Sequence, residues 1–384
     1  MNRRRFLQIA GSSGVIIAAG GVGFLATRTP KDALVPWEQA GSLYSDPLRR
    51  ALSYAILAPN PHNRQPWLVE LKSETEAVLT CDLGRLLPIT DPFSRQIVIG
   101  LGCFLELFSI AAAAQGYRAN IRYFPNGEPD VGLDQGPIAH LSLQQQKGLA
   151  GEPLFGHVLE RHTNRNAYDA NRVIDDAVAR RLRAAAPRNI HIGTANGGAL
   201  LQDLRALTRD AMWTEVRTAE AYQESIDLMR IGRDEIEANP DGIALGGGFL
   251  ETLKLTGLLS RDSLADPASR AYRIGLSMIE DGAMTSMGFV WIKTDGNSRT
   301  AQIEAGRAYL RVALQATADG LAMQPMSQAL QEYAAMQPFY ETIHDRLAKQ
   351  SGERVQMLAR LGYAQAIGPA PRWPLATRIG PKES

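Results

Sequence analysis

Only two cysteines, Cys81 and Cys103, occur in 384 residues, too few for a disulfide framework or a cysteine metal site. Cys81 sits in a strand-like run and Cys103 in an apolar helical one, so both read as buried free thiols. The six histidines, at 62, 140, 157, 162, 191 and 344, are scattered. They form no His-x-x-x-His pair, and there is no serine elbow, so no metal site and no nucleophile triad is expected. An excess of charge of either sign is also lacking: 41 basic residues against 40 acidic ones leave a net charge of +1. That balance provides no footprint for nucleic acid or for strong attraction to an anionic membrane surface. A small-molecule partner is the class that remains.

What is present starts with a distinctive N-terminus. Residues 1–30, MNRRRFLQIAGSSGVIIAAGGVGFLATRTP, run from a basic cluster through a weakly hydrophobic glycine- and alanine-rich stretch to a polar end. This is the anatomy of an export signal. NRRRFLQ resembles the twin-arginine signal, with Arg3 and Arg4 as the pair, although Asn2 and Gln8 depart from the usual pattern. The implied location is periplasmic, or anchored to the outer face of the inner membrane, because Ile9 to Ala26 is just long enough to cross a bilayer as a tether. Twin-arginine export carries folded proteins, and a common reason to fold first is a cofactor acquired in the cytoplasm.

The full chain is 45% apolar and, at 384 residues, long enough for two or three domains. Self-comparison divides it. Residues 90–116, TDPFSRQIVIGLGCFLELFSIAAAAQG, align without gaps on 294–320, TDGNSRTAQIEAGRAYLRVALQATADG, with nine of 27 positions identical. Chance would give roughly two or three. Each copy predicts a helix of about five turns, entered after Ser-Arg and stopped by glycine. The first copy is apolar nearly all round, which predicts burial on every side. An earlier helix, SDPLRRALSYAILAP, is mirrored more faintly by IDDAVARRLRAAAP, with Pro59 opposite Pro187. The pattern describes a pseudo-symmetric dimer fused into one chain, with a first half at 40–150 and a second at 151–384.

The offset between matching positions rises from 128 to 204 residues, so 76 extra residues lie within the second half. They place an inserted helical segment at about 196–270. It contains Gly246, Gly247 and Gly248, which could cradle phosphate, but without the fuller motif the preferred reading is a lid over one face. Modest strands are predicted at WLVELK, AVLTCDL, ANIRYFP, IAHLSL, NIHIGT, MGFVWIKT and ERVQMLARLGYA. Helices around mostly antiparallel sheets make an α+β fold.

Two short stretches carry hydrogen-bonding chemistry. LAPNPHNRQPW, residues 57–67, packs three prolines around Asn60, His62, Asn63 and Gln65, far more than a plain helix-to-strand corner needs. LERHTNRNAYD, residues 159–169, sets Arg161 and Arg165 around Thr163 and Asn164, a fork suited to a phosphate.

Together with the paired central helices and the C-terminal LGYAQAIGPAPRWPL, these stretches resemble the nitroreductase superfamily, specifically the Acg family of FMN-binding proteins. The resemblance covers essentially the whole chain after about residue 40. It implies a nitroreductase-like fold of two fused halves with FMN between them. Arg161 and Arg165 match the element that grips the FMN phosphate, with Arg372 as C-terminal basic partner. Pro59, Asn60, Pro61 and Asn63 match a loop against the isoalloxazine and ribityl chain, although Asn60 and Arg64 stand where a serine and a smaller polar residue are commoner. Pro325, Met326, Ser327 and Gln328 match a segment whose backbone amides face flavin N5.

The implied activity is an FMN-dependent oxidoreductase, reducing a flat acceptor such as a nitroaromatic or a quinone. The electron donor is open, because export would separate the protein from nicotinamide nucleotides. An alternative is an FMN-binding or sequestering protein whose lid blocks turnover. The amide loop occurs only in the first half and the arginine fork only at the start of the second. One FMN per chain, in a functional monomer, is the resulting expectation.

Overall fold

The computed structural model of the chain describes residues 28–187 and 189–380; the export-signal reading therefore lies almost wholly outside the described residues. Asp46 accepts from the backbone N–H of Arg49 and starts helix α1, Pro47–Ala55, whose proline occupies the first turn, where no intrahelical N–H partner is needed. Strands β1, Trp67–Leu71, and β2, Glu76–Cys81, follow the amide loop, and then comes α2, Arg95–Ala113. Strands β3, Tyr117–Tyr123, and β4, Pro137–Gln145, complete an antiparallel sheet of order β1-β2-β4-β3.

The second half repeats this plan. Helix α3, Asp176–Ala184, is likewise N-capped by an aspartate, Asp175, and leads into β5, His191–Ala195. After the insert come β8, Gly288–Asp295, helix α10, Arg299–Ala318, β9, Ala322–Pro325, and β10, Glu353–Gly362. Their sheet order, β5-β8-β10-β9, corresponds strand for strand to that of the first sheet. The molecule is α+β, with two four-stranded antiparallel sheets and the two long helices packed against each other.

Helix α2 is apolar and long enough to cross a membrane by composition, yet it is buried within the protein. Its residues Ile97, Leu101, Phe104, Leu105 and Phe108 are 0% exposed. Each such side chain contributes about 1.5–3 kcal/mol on leaving water. Glycines let α2 and α10 approach closely: Cys103 Sγ donates to Gly306 O at 3.2 Å. Glu106 of α2, 5% exposed, accepts from Arg307 Nε at 2.7 Å and Arg311 Nη1 at 2.8 Å on α10. A lone carboxylate there would be costly, and two guanidiniums offset its desolvation.

The segment between β5 and β8 is longer than the expected 196–270. It runs through α4, Gly198–Arg217, α5, Ala219–Asp227, β6, Met229–Ile231, α6, Arg233–Ala238, β7, Ile243–Leu245, α7, Gly248–Leu255, α8, Arg261–Ala265, and α9, Arg270–Met284. The sequence reading missed the parallel β6–β7 pair and β9, each only three or four residues long. The glycine triplet follows β7 and opens α7, and Gly247 needs its φ of 101° there.

Candidate functional site

A cavity of about 410 Å³ opens where the two halves and the insert meet. The first half provides Pro59 to His62 and one face of α2, including Ile99, Gly100 and Cys103. The second half provides Tyr309, Gln324 to Gln328 and Arg360, together with Thr163 and Arg165 from the connecting stretch. The insert closes the remaining side with Met212, Glu215, Tyr222 and Met278 among others. Its size suits a small-molecule site, which typically occupies about 300–1,000 Å³.

The amide loop is held in an uncommon conformation. His62, Asn63 and Gln65 have φ values of 46°, 52° and 51°, and non-glycine residues in that left-handed region cost about 1–3 kcal/mol each. Side chains within the loop hold it there. Asn60 Oδ1 accepts from Gln65 N at 2.7 Å; the fully buried Gln65 donates to Pro240 O at 2.7 Å and accepts from Trp373 N at 2.9 Å. Arg64 reaches Gly84 O, Arg85 O and Asp241, and Asp241 also pairs with Arg85 and with Arg230 of the insert. Pro61 and Asn60 rest on α2, where a Cβ on Gly100 would stand 3.1 Å from each of them.

Asn63 is not among the residues that line the cavity. Its amide donates to Pro371 O at 3.0 Å and its Oδ1 accepts from Arg372 Nη1, so it ties the loop to the C-terminal segment rather than lining the cavity. Arg372 is likewise turned inward. It donates to Ile56 O, Leu57 O and Ala58 O at 3.0–3.1 Å, closing the C-terminal end of α1, where a cation meets the negative pole of the helix. Burial, and then the neighbouring Arg161, pushes its pKa down to about 9.

Arg161 and Arg165 each stand two residues from Thr163, and four from each other, along one strand-like stretch. The stretch is extended, with Asn164 N donating to Met323 O and Thr163 bridging Met323, so residues 161, 163 and 165 share one side. Arg161 is 5% exposed and makes one long bond, Nη2 to Leu57 O at 3.4 Å. Arg165, by contrast, is exposed: its side chain lines the cavity, and no hydrogen bond or ion pair engages it among the described residues. Desolvation lowers the pKa of both. A further arginine that the sequence reading missed, Arg360, is 0% exposed, donates to Gln324 Oε1, Gly282 O and Asn166 O, and stacks 3.8 Å over the Tyr168 ring. The available signal was a charge inside the apolar strand run MLARLG.

No carboxylate pairs with Arg161, Arg165, Arg360 or Arg372 among the described residues. Unpaired buried cations are strongly unfavourable, so this end of the cavity suits an anion, and the donor set fits the phosphate of FMN. His62 adds no charge: burial, then Arg165 and Arg64, pushes its pKa down to about 4. At the other wall, Met326 N already donates to Leu358 O at 2.8 Å. Ser327 and Gln328 open a 3₁₀ turn, where the first amides lack intrahelical acceptors. Of the expected site residues, Asn60, Pro61, Arg165, Met326, Ser327 and Gln328 line the cavity, whereas Asn63, Arg161 and Arg372 stand behind it.

No family model matches the chain. "Putative NAD(P)H nitroreductase Rv3131" of Mycobacterium tuberculosis is 26% identical over 348 residues, covering 85% of this chain and 89% of that protein. "Putative NAD(P)H nitroreductase acg" of the same organism is 39% identical over 82 residues, covering 21% of this chain and 24% of that protein. Among solved structures, the FMN and NADPH-dependent nitroreductase NfnB from sphigopyxis sp. strain HMH matches 61% of this chain and 100% of its own, at 15% identity and a TM-score of 0.38. Over most of its length, the chain is similar to a protein named as a putative NAD(P)H nitroreductase, and over 82 residues it is similar to Acg.

Proposed function

We propose that the chain is an FMN-dependent oxidoreductase of the nitroreductase type, holding one FMN between its halves and reducing a flat acceptor such as a quinone or nitroaromatic. The observation that carries this reading is Arg165, a cationic side chain that lines the cavity with no hydrogen-bond or ion-pair partner among the described residues, with Arg161 buried four residues earlier in the same stretch. Arg165 would take the phosphate and Arg161 would add positive potential from behind. Asn60 and Pro61 would bear on the ring system from the first half, and the free amides of Ser327 and Gln328 would donate to it from the second. When bound, FMN supplies the hydride or electron chemistry. The protein's part is orientation, hydrogen bonding and exclusion of water.

The identical strand order of the two sheets supports reading the chain as a dimer fused into a monomer. The sequence of residues 1–30 supports twin-arginine export, to the periplasm or to a tether on the outer face of the inner membrane. A storage role is favoured by one observation, the insert's share of the cavity wall, since a lid that never opened would prevent turnover. Purification followed by anaerobic reduction decides between the readings. Bound flavin that bleaches with a reductant and recovers on adding a quinone supports the enzyme; bleaching without recovery supports storage; colourless protein that takes up no FMN contradicts both.

A further inference from the structure

Helix α4 of the insert buries Leu201, Leu204, Thr208, Ala211 and Glu215 along one stripe, so its last member brings a carboxyl to the cavity wall. Glu215 is 6% exposed. Ser225 Oγ donates to its Oε1 at 3.5 Å, while Oε2 is buried with no hydrogen-bond partner. Gln328 and Gln331 face it from the turn after β9, and their amide oxygens are buried and unpartnered too. The titratable groups around it are Glu224 on α5 and Tyr333; neither is a cation. Burial pushes the carboxyl up to about 7 from its usual 4.5, Glu224 reinforces this, and Gln328, Gln331 and Ser225 oppose it. The nearby wall is otherwise apolar, with Met212, Val216, Met278 and Ile279. A flat ligand against that wall would meet the Glu215 carboxyl beside apolar side chains.

We propose that Glu215 is a catalytic acid that, as a neutral carboxylic acid, hydrogen-bonds the reducible oxygen of a quinone and gives its proton to that oxygen. The inference rests on the function proposed above and names its substrate class: a quinone carbonyl accepts such a bond well, and a nitro oxygen only weakly. Reduction to the hydroquinone needs two electrons and two protons. FMN, when bound and reduced, would supply a hydride equivalent, that is both electrons and one proton. The second proton leaves Glu215 as its O–H bond breaks and the hydroquinone O–H forms, and water then reprotonates the carboxylate.

The test compares wild type with Glu215→Gln, which keeps the shape but has no acidic proton. FMN-loaded protein, reduced anaerobically with dithionite, is mixed with benzoquinone at several pH values, and flavin recovery is followed. Wild-type recovery should slow by roughly tenfold per pH unit above the carboxyl's pKa. Glu215→Gln should be slower by about 100-fold or more at acidic pH, and its rate should not vary with pH. Ferricyanide, a one-electron oxidant needing no proton, should reoxidise both proteins equally.

A second readout needs no turnover. With a folded-state pKa of about 7 against 4.5 unfolded, the native protein binds the extra proton, so wild type loses stability relative to Glu215→Gln as pH rises between those values. Superimposed pH profiles for benzoquinone, or equal slowing with ferricyanide, would overturn the proposal. Should Glu215→Gln not fold, Glu215→Asp must retain a pH-dependent rate, and a flat profile there counts against the acid. Absence of bound flavin would defeat the functional reading instead, and the stability comparison would still decide whether the carboxyl is held protonated.

Discussion

Gly102 and Gly306 face each other where α2 crosses α10. A Cβ on Gly102 would stand 2.2 Å from Ile303 O, and one on Gly306 2.0 Å from Ile99 O. The two contacts are counterparts, since Ile99 and Ile303 occupy matching positions of the repeat. Because the clash is with backbone, Gly102→Ala or Gly306→Ala must force the helices apart. Overpacking of this kind costs about 1–3 kcal/mol or more, and chemical denaturation should show it for either variant. A loss below about 0.5 kcal/mol would mean that the crossing is not close-packed.

Arg165→Ala should leave the fold intact and weaken FMN binding by roughly tenfold or more, the equivalent of one charge-assisted bond of about 1.5–3 kcal/mol. Riboflavin, which lacks the phosphate, should be little affected. Titration of the apoprotein with both flavins checks this. Equal weakening of the two would place the guanidinium elsewhere.

Gln65→Ala tests the strained loop. It strands Pro240 O and Trp373 N, each of which the Gln65 amide now satisfies, and frees a loop that costs energy to hold. The expected loss is about 2–4 kcal/mol of stability, seen as a lower denaturation midpoint, with weaker flavin binding alongside. An unchanged midpoint would show that the loop needs no such brace.

Replacing Arg3 and Arg4 together by lysine should retain folded, flavin-loaded protein in the cytoplasm, as fractionation would show. Normal export of that variant would rule out the twin-arginine route.

The repeat, the central helices and the longer strands were legible because burial on both sides leaves a strong apolar pattern, as in α2. The short strands β6, β7 and β9 were not, since three or four residues carry too little periodicity to register. Asn60 and Arg165 were found by residue type and motif, and they do line the cavity. The motifs put Asn63 and Arg372 in the same clamp; in the structure they bind each other, and Arg372 also bonds the end of α1, because backbone carbonyls left by the helix compete for its donors. Glu215 was missed as one charge among many in TRDAMWTEVRTAE. Its position in step with Leu201, Leu204, Thr208 and Ala211 was the signal, since a carboxylate in a buried stripe needs a reason.

The proposed flavin site is single and built from two unlike halves. The loop that faces it comes only from the first half, and Arg165 only from the segment opening the second. The reciprocal positions, before α1 and after Pro187, contain neither an arginine fork nor an amide loop. Quantitative release of flavin from purified, FMN-saturated protein, with light scattering for mass, measures this directly. The account predicts one FMN per chain in a monomer. A reproducible ratio of two per chain, or a site that fills only in a dimer, would contradict it.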